Sequence, residues 1–484
     1  MIKKEILNIF HLLKRLSKDE ELFLVGGFLR DYILKRNTLD FDFCIKKNVQ
    51  YFCKIVSREL GAKCFVLDKD TETYRVILKI DEKQINLDFS QIKGKTIYDD
   101  LALRDYTINA IALDITKIDK IKKNIIDPFN GNGDIEKRII KSISKQNLID
   151  DPLRLLRAFR FKAELKFNIE AKTLAFIKSL SKRIHKSSSE RIKDELYKIL
   201  SVTDSTEIFK QLDKTNLLGE IFPEVTACRN LAKVYYKKEG VLTHLLQTLN
   251  RMEYIKENTK SLFGNLSPFI RKYIFETISG GYPRFTTLKL ASLLHDVGKA
   301  PTAKMREGRL RFFYHEEEGD KMVKNIADRL RLSSNEKDIV SAMTLGHMRP
   351  GNLAYQKEIT DRAKYRYFRD YGNKSISLLL ISLADRFTYL TDRQIKSKKD
   401  KHHKAILNLI NHYYFAREKV NPPKIINGHQ IMKELNIPSS PLVGKILVEI
   451  NENIVEGNIK TKEDAVRLAK TILDLKQTEG KEIN

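Results

Sequence analysis

Tryptophan is absent and cysteine is scarce, with only Cys44, Cys53, Cys64 and Cys228 in 484 residues. No CxxC pair occurs and each cysteine sits in an apolar stretch, which suits reduced core thiols better than a disulfide framework or zinc ligands. Long hydrophobic runs are missing too. With 42% apolar residues, mean hydropathy −0.38 and no uncharged apolar run of about eighteen residues, the composition excludes a helical membrane span and fits a globular chain. The N-terminus, MIKKEILNIFHLLKRL, disperses charge among apolar positions and predicts an amphipathic helix. It lacks the unbroken apolar core and cleavage site of a secretion signal, so a cytoplasmic location and no membrane partner are expected.

Acidic residues are in deficit. Lys and Arg number 89 against 63 Asp and Glu, a formal net charge of +26. Such a balance favours a polyanionic partner through counterion release, although a lysine-rich solvated surface accounts for it equally well. The length leaves room for roughly three domains.

The first part of the chain alternates short apolar runs (ELFLVGG, FDFCI, YRVILKI, INLDFS) with helical patterns, the signature of an α/β or α+β domain. After DPFNGNGD, from about residue 148, helical periodicity dominates. A loosely patterned stretch over Lys256–Arg284, with Gly280-Gly281 and Pro283, predicts a loop or insertion before the apolar helix TLKLASLLHDVGK.

In LVGGFLRDYIL, Gly26-Gly27 follow an apolar strand and precede a helix, where small residues let backbone N–H groups approach phosphate. Next comes Asp40-Phe41-Asp42. Strand alternation points both carboxylates to one side and the ring to the other, and paired carboxylates call for a cation, with Mg²⁺ the natural oxygen-ligated choice.

GGFLRD followed by DFD resembles the first motif of the DNA polymerase β-type nucleotidyltransferases, in the bacterial branch of class II tRNA CCA-adding enzymes and poly(A) polymerases that carry an HD domain. Further elements follow in the same order. Leu101-Ala-Leu-Arg-Asp-Tyr-Thr-Ile-Asn-Ala110 resembles RRDxTxNA; Asp127-Pro-Phe with Gly131 and Asp134 resembles DPxxG; Asp150-Asp-Pro-Leu-Arg154 resembles EDxxR; Ser189-Glu-Arg-Ile resembles SxERI. Leu103 replaces the first arginine of RRD, and Asp150 stands where glutamate is usual.

The resemblance implies that Asp40 and Asp42 are catalytic and hold Mg²⁺. It further implies that Gly26, Gly27 and Arg30 cradle the triphosphate and that Arg104, Asp105 and Asn109 hold the ribose. Asp88, in INLDF, is either a further acidic neighbour or a structurally paired carboxylate. Asp151, Arg154 and Arg157 recur every three residues and are expected on one helix face, with Leu155 and Phe159 turned to the core. A carboxylate and a guanidinium there match the shared donor-acceptor edge of cytosine and adenine, while uracil and guanine present the reverse polarity. Without the resemblance, the same stripe is an ordinary i,i+3 surface pair.

His295-Asp296, in LLHDVGK, lies on an apolar helix where imidazole and carboxylate are costly to bury without a cation or partners. With His244 upstream and His315, His347 and Asp385 downstream, the ordered set resembles the HD-type metal-dependent phosphohydrolases. It takes four of the ten histidines. A divalent ion of unidentified kind is implied. From about Ile426 to Leu473 the tail resembles the tRNA-binding end of CCA-adding enzymes, and generic helical packing explains it nearly as well.

The expected architecture is an α/β (α+β) polymerase β-type head over 1–141, a helical neck over 142–230, an HD body over 231–400 and a helical tail over 401–484. The expected activity is template-independent addition of C and A to the 3′ end of tRNA from CTP and ATP. The motifs do not separate full CCA addition from CC-only or A-only addition, and the loop around Leu67–Arg75 does not decide it. The alternatives are a poly(A) polymerase, disfavoured by the acidic GAKCFVLDKDTETYRV, and an HD phosphohydrolase whose head only binds RNA.

Overall fold

The computed structural model describes residues 4–17, 20–68, 72–81, 83–236 and 240–479. Apolar alternation in the first part of the chain builds one seven-stranded sheet. Its strands are β1 (Leu22–Val25), β2 (Asp40–Ile45), β3 (Lys63–Asp68), β4 (Thr73–Ile80), β5 (Lys83–Gln91), β6 (Ala112–Asp114) and β7 (Ile125–Ile126), in the order β3-β4-β5-β2-β1-β6-β7. β2 and β5 pair in parallel and every other neighbour is antiparallel.

The N-terminal helix Lys4–Leu16 forms as expected and buries Ile6, Ile9, Phe10 and Leu13. Phe10 meets Phe28, Phe41 and Phe43 edge-on, with centroids 5.5, 5.3 and 6.2 Å apart. Phe41 is thereby sealed in the core at 1% exposure. Its neighbours Asp40 and Asp42 must then leave by the opposite face of β2, because successive side chains alternate.

Two compact units divide the chain, Met1–Ile221 and Phe222–Asn484. Beyond residue 148 the structure is helical apart from short two-stranded pieces. The expected loop over Lys256–Arg284 is corrected. That stretch holds the helices Thr259–Phe263 and Ser267–Phe275, joined by a 3-10 turn at Gly264–Leu266, and Gly280-Gly281 turn inside a small hairpin of Thr277–Ser279 with Tyr282–Pro283. Its apolar residues Leu262, Phe263, Ile270 and Ile274 are buried, so helical packing prevails over a pattern too short to read.

In the second unit, helix Arg284–Leu294 is buried along its whole length. Even Lys289 is enclosed, paired with Glu253 at 2.6 Å. Helices Val241–Glu257, Ser334–Gly346 and Ser375–Phe387 pack around it. The tail has its own core of Ile426, Ile431, Val443, Ile446, Ile450, Ile459, Ala465 and Ala469. Buried Glu452 ties it to helix Asp361–Tyr371 by accepting from Arg362, Arg366 and Arg369 at 2.6 to 3.1 Å. No described helix is long and apolar enough to cross a membrane. Cys44, Cys53 and Cys228 are buried, Cys64 is half-buried, and all four are free thiols.

One close approach fixes the floor of the head. The short helix Gly131–Glu136 lies against the turn Thr107–Asn109, and a Cβ on Gly131 would fall 2.2 Å from the Thr107 carbonyl oxygen. Gly131→Ala is therefore expected to cost about 1–3 kcal/mol and to displace Asn109. A melting temperature equal to that of the parent would contradict this.

Candidate active site

Antiparallel pairing of β1 with β2 sets Val25 opposite Asp42, and the chain then turns at Gly26, whose φ is 71°. A Cβ on Gly26 would lie 3.1 Å from the Arg104 guanidinium and 3.6 Å from the Asp42 carboxylate, and the positive φ itself favours glycine. Parallel pairing of β2 with β5 puts Asp88 opposite Asp42 and Asn86 opposite Asp40. Asn86 donates to Asp40 at 2.6 Å, and Arg75 clasps Asp88 through two bonds of 2.7 Å. Asp88 is thus both a neighbour of the pair and a structurally held carboxylate.

Asp42 reaches solvent through the open pocket, yet protein surrounds it on the other sides. That burial, followed by Asp88 and Asp40, pushes its carboxyl up to about 6, against the pull of Arg104 and Arg157.

The opposing wall is built from arginines already committed to partners. Arg30 is buried, binds both oxygens of Asp31 at 3.0 and 3.1 Å, and donates to Asn109 at 2.7 Å. Asn109 in turn donates to Asp105, which also accepts from Arg157 at 2.9 Å. Burial pushes the Asp105 carboxyl up, but Arg157 and Asn109 outweigh it and hold it below its usual range. Arg104 binds Asp100.

Asp151 departs from the expected helix. Helix Leu153–Leu165 begins after Pro152, and Asp151 is extended at φ −129° and ψ 94°, since a residue before proline is pushed out of the α region. It still faces Arg154, 3.8 Å away, and Arg191 holds its carboxylate at 2.9 Å. Arg154 donates to the Asn147 carbonyl at 3.0 Å. Leu155 and Phe159 are fully buried, as expected.

Gly26, Gly27, Arg30, Asp40, Asp42, Arg104, Asp105, Asn109, Asp151, Arg154 and Arg157 all line one pocket of about 460 Å³. Asp31 of GGFLRD and Arg191 of the SERI element line it too, together with Arg160 and Phe161, which lie outside the motifs quoted from sequence. Arg160 continues the three-residue spacing of Arg154 and Arg157, so that stripe carried the signal; it binds Glu195 at 2.7 Å and lies over the Phe161 ring. Leu103, the departure from RRD, is exposed. Within Leu67–Arg75, residues 69–71 lie outside the described ones.

The six HD-type residues converge in the second unit. His244 comes from helix Val241–Glu257, and His295 and Asp296 from the end of Arg284–Leu294. His315 opens helix His315–Arg329, His347 ends Ser334–Gly346, and Asp385 lies in Ser375–Phe387. The Nε2 atoms of His244, His295, His315 and His347 stand 3.3, 3.3, 3.5 and 3.4 Å from the Asp296 carboxylate. Asp385 lies 3.2 Å from His244.

Nδ1 of His295, His315 and His347 is bonded to the carbonyls of Ser292, Phe312 and Thr344 at 2.8 to 2.9 Å. This fixes the tautomer with Nε2 as the lone-pair atom, and those three buried Nε2 atoms have no hydrogen-bond partner. Two potential ligand sets share His295: His244, His295, Asp385 and His295, Asp296, His347. The donors fit divalent metal binding. Burial pushes Asp296 up, but Lys299, followed by His295 and His244, holds it well below the usual carboxylate range. Lys299, the last residue of HDVGK, is ion-paired with Asp296.

Three family patterns match: the poly A polymerase head domain over residues 22–141, the "Probable RNA and SrmB- binding site of polymerase A" over 166–229, and the HD domain over 241–390. A CC-adding tRNA nucleotidyltransferase of Synechocystis is 27% identical over 93% of this chain and 93% of its own length. An A-adding tRNA nucleotidyltransferase of Deinococcus radiodurans is 25% identical over 91% of this chain and 93% of its own. The chain belongs to the tRNA nucleotidyltransferase and poly(A) polymerase family. It shares its fold with a Thermotoga maritima CCA-adding enzyme solved in complex with tRNA, at TM-score 0.63, 21% identity and coverage of 98% and 96% of the two chains.

Family membership and the donor sets together imply divalent metal use in this nucleotidyltransferase. The raised Asp42 has a measurable consequence. Its carboxyl titrates near 6 in the fold against an unfolded value of 3.8, so the stability its proton carries is full below about 3.8 and lost as pH rises through about 6. Asp42→Asn should therefore raise the melting temperature of metal-free protein near neutral pH, by a modest amount because pocket water screens the charge. The gain should fade toward pH 4, and added divalent cation should stabilise the parent more than the variant. A variant melting no higher than the parent in chelator at neutral pH would contradict this.

Proposed function

We propose that the head extends the 3′ end of tRNA with C and A drawn from CTP and ATP, without a template and with release of pyrophosphate. The supporting observation is that one pocket is lined both by the Asp40–Asp42 pair and by the Asp151–Arg154 pair. The first is suited to a triphosphate and its cation, the second to the edge of a base.

Asp40 and Asp42 would hold Mg²⁺, whose hard-oxygen preference they match and which would neutralise charge on the triphosphate and favour ionisation of the RNA 3′-hydroxyl. The protein does the positioning. Gly26 and Gly27 admit phosphate beside the carboxylates, and Arg104, Asp105 and Asn109 form the wall against which the sugar would rest. Arg30 supports that wall through Asn109, with its guanidinium satisfied internally.

Arg191 orients Asp151, and the Asn147 carbonyl restrains Arg154. A carboxylate thus held accepts from the exocyclic amine of cytosine or adenine while Arg154 donates to the adjacent ring nitrogen, with Arg157 bracing the helix through Asp105. Uracil and guanine would leave both charges mismatched. In this reading residues 1–141 are the catalytic head, 142–230 the base-selecting neck, 231–400 the HD body and 401–484 the tRNA-gripping tail, working in the cytoplasm.

The test is extension of tRNA transcripts ending at the discriminator base, at C and at CC, each with CTP, ATP or both, resolved to single nucleotides. Growth to CCA followed by arrest is expected. Growth only to CC, or only from CC, would narrow the activity; a long A ladder would make the chain a poly(A) polymerase, and no extension would overturn the proposal. Arg154→Ala should lower kcat/KM for CTP and ATP by about 10²–10⁴ and relax discrimination against UTP. Retained selectivity would remove Arg154 from base choice.

A second reading is favoured by the unpartnered Nε2 atoms: the HD cluster binds a divalent metal and hydrolyses phosphoesters. Asp296→Ala should abolish metal binding at the HD cluster and hydrolysis while sparing nucleotide addition, and Asp42→Ala should abolish nucleotide addition while sparing hydrolysis. Hydrolysis surviving Asp296→Ala would sink this second reading.

A further inference from the structure

The chain between His295-Asp296 and His315 is short and unusually basic. Helix Lys299–Thr302 leads into a hairpin of Lys304–Arg306 with Arg309–Arg311, and four residues after Arg311 His315 enters the HD cluster. The Phe312 carbonyl that closes this connection holds His315 Nδ1 at 2.8 Å, so the hairpin is the rim of the centre by covalent connection and by hydrogen bond.

Its register pairs Lys304 with Arg311 and Arg306 with Arg309. Cross-strand partners share a face, as do residues two apart on one strand, so all four cations project from the same face while Met305 and Leu310 take the other. All four are exposed, and among the described residues none forms an ion pair. Glu307 is the hairpin's only carboxylate. Like charges set directly opposite destabilise a strand pair, and an isolated two-stranded ribbon has little stability to spare. An arrangement with this cost is relieved by a bound polyanion.

Two further features point to a nucleic acid. Phe313 and Tyr314 are 54% and 76% exposed, offering ring faces beside the cations, and Arg306 stacks over Phe313 at 5.2 Å. Cations interleaved with exposed aromatics suit backbone contact combined with base stacking. Two cation pairs roughly 6–7 Å apart along the strands suit successive phosphates of a chain better than one phosphate group. The neighbouring acids are engaged elsewhere: Glu318 pairs with Lys321 at 3.0 Å and Glu316 lies 3.1 Å from His315. Glu317 and Glu318 share a pocket of about 420 Å³ with Lys304, Arg306, Phe313 and Tyr314, and they mark where a phosphate chain would be turned away.

We propose that the cationic face of this hairpin binds the phosphodiester backbone of a single-stranded polynucleotide and presents its end to the HD cluster. The presentation rests on the reading of that cluster as a hydrolase; the binding does not. The substrate class of the cluster is then an RNA terminus, not a free nucleotide.

The test uses the full chain and a labelled single-stranded RNA oligonucleotide carrying a 3′-phosphate. Lys304→Gln, Arg306→Gln, Arg309→Gln and Arg311→Gln combined should weaken binding by about tenfold or more at low salt. The slope of log affinity against log salt should become shallower by up to about 3, at roughly 0.7 per phosphate contact. In the parent, RNA should slow hydrogen exchange of amides 304–314, a readout that needs no variant. Hydrolysis of bis(p-nitrophenyl) phosphate should be unchanged in the variant while KM for the RNA phosphate rises. Unchanged affinity and slope with no protection would overturn the proposal, as would protection by anionic lipid vesicles but not by RNA. If the parent hydrolyses neither substrate, the hydrolase reading and presentation fail, while slope and protection still decide the binding.

Discussion

Repulsion between carboxylates crowded on one face of a strand is the constraint around which the first unit is organised. Strand β2 exposes Asp40 and Asp42 side by side, and its parallel partner β5 adds Asp88 in register with Asp42. Left to itself, such a cluster would spread or take up protons. The sheet prevents spreading because Phe41, between the two aspartates, is locked against Phe10 and Phe28. Arg75 and Asn86 tether the flanking carboxylates, while burial first, and then Asp88 and Asp40, keep the Asp42 carboxyl raised, a cost that a cation would relieve. The arginine wall across the pocket is internally satisfied, so it shapes the field without collapsing onto the aspartates.

The second unit meets a similar problem with different ligands. Asp296 is buried inside a ring of imidazoles, and three of these have their other nitrogen anchored to a backbone carbonyl. Each anchor lies three residues before its histidine, so a helix end or turn orients the ring with no distant help. Gly298 completes the geometry, since a Cβ there would strike the His315 carbonyl oxygen at 2.1 Å. Oxygen donors alone in the head and mixed nitrogen and oxygen donors in the HD cluster suit different cations, which keeps the two chemistries separable within one chain.

Several features were legible in the sequence because their causes are local. The outward pair Asp40 and Asp42 follows from strand alternation, the N-terminal helix from its apolar spacing, and the left-handed turn at Gly26 from glycine itself. Asp151 shows where periodicity misled. Its spacing with Arg154 and Arg157 suggests one helix face, yet Pro152 pushes it into an extended conformation, and the signal was the proline. The place in the pocket of Arg160, and of Arg191 from the SERI element, was not legible for another reason. An arginine is equally at home on a solvated surface, and only the fold decides that these two turn into the pocket. The helices between Lys256 and Arg284 were hidden because segments of five and nine residues carry too few apolar positions to display a period.

The sequence by itself determined the two chemical centres, their residue types and the order in which they occur, because motif spacing and alternation are properties of neighbouring residues. Tertiary structure alone decided which distant groups meet: Asp88 beside Asp42, Arg191 on Asp151, Arg30 committed to Asn109, and four histidines from four helices around one carboxylate. Those meetings depend on sheet register and helix packing, which are set by burial of apolar surface over the whole unit. Hydrophobic burial is non-directional, so a linear pattern can state that a face is buried but not which partner it is buried against.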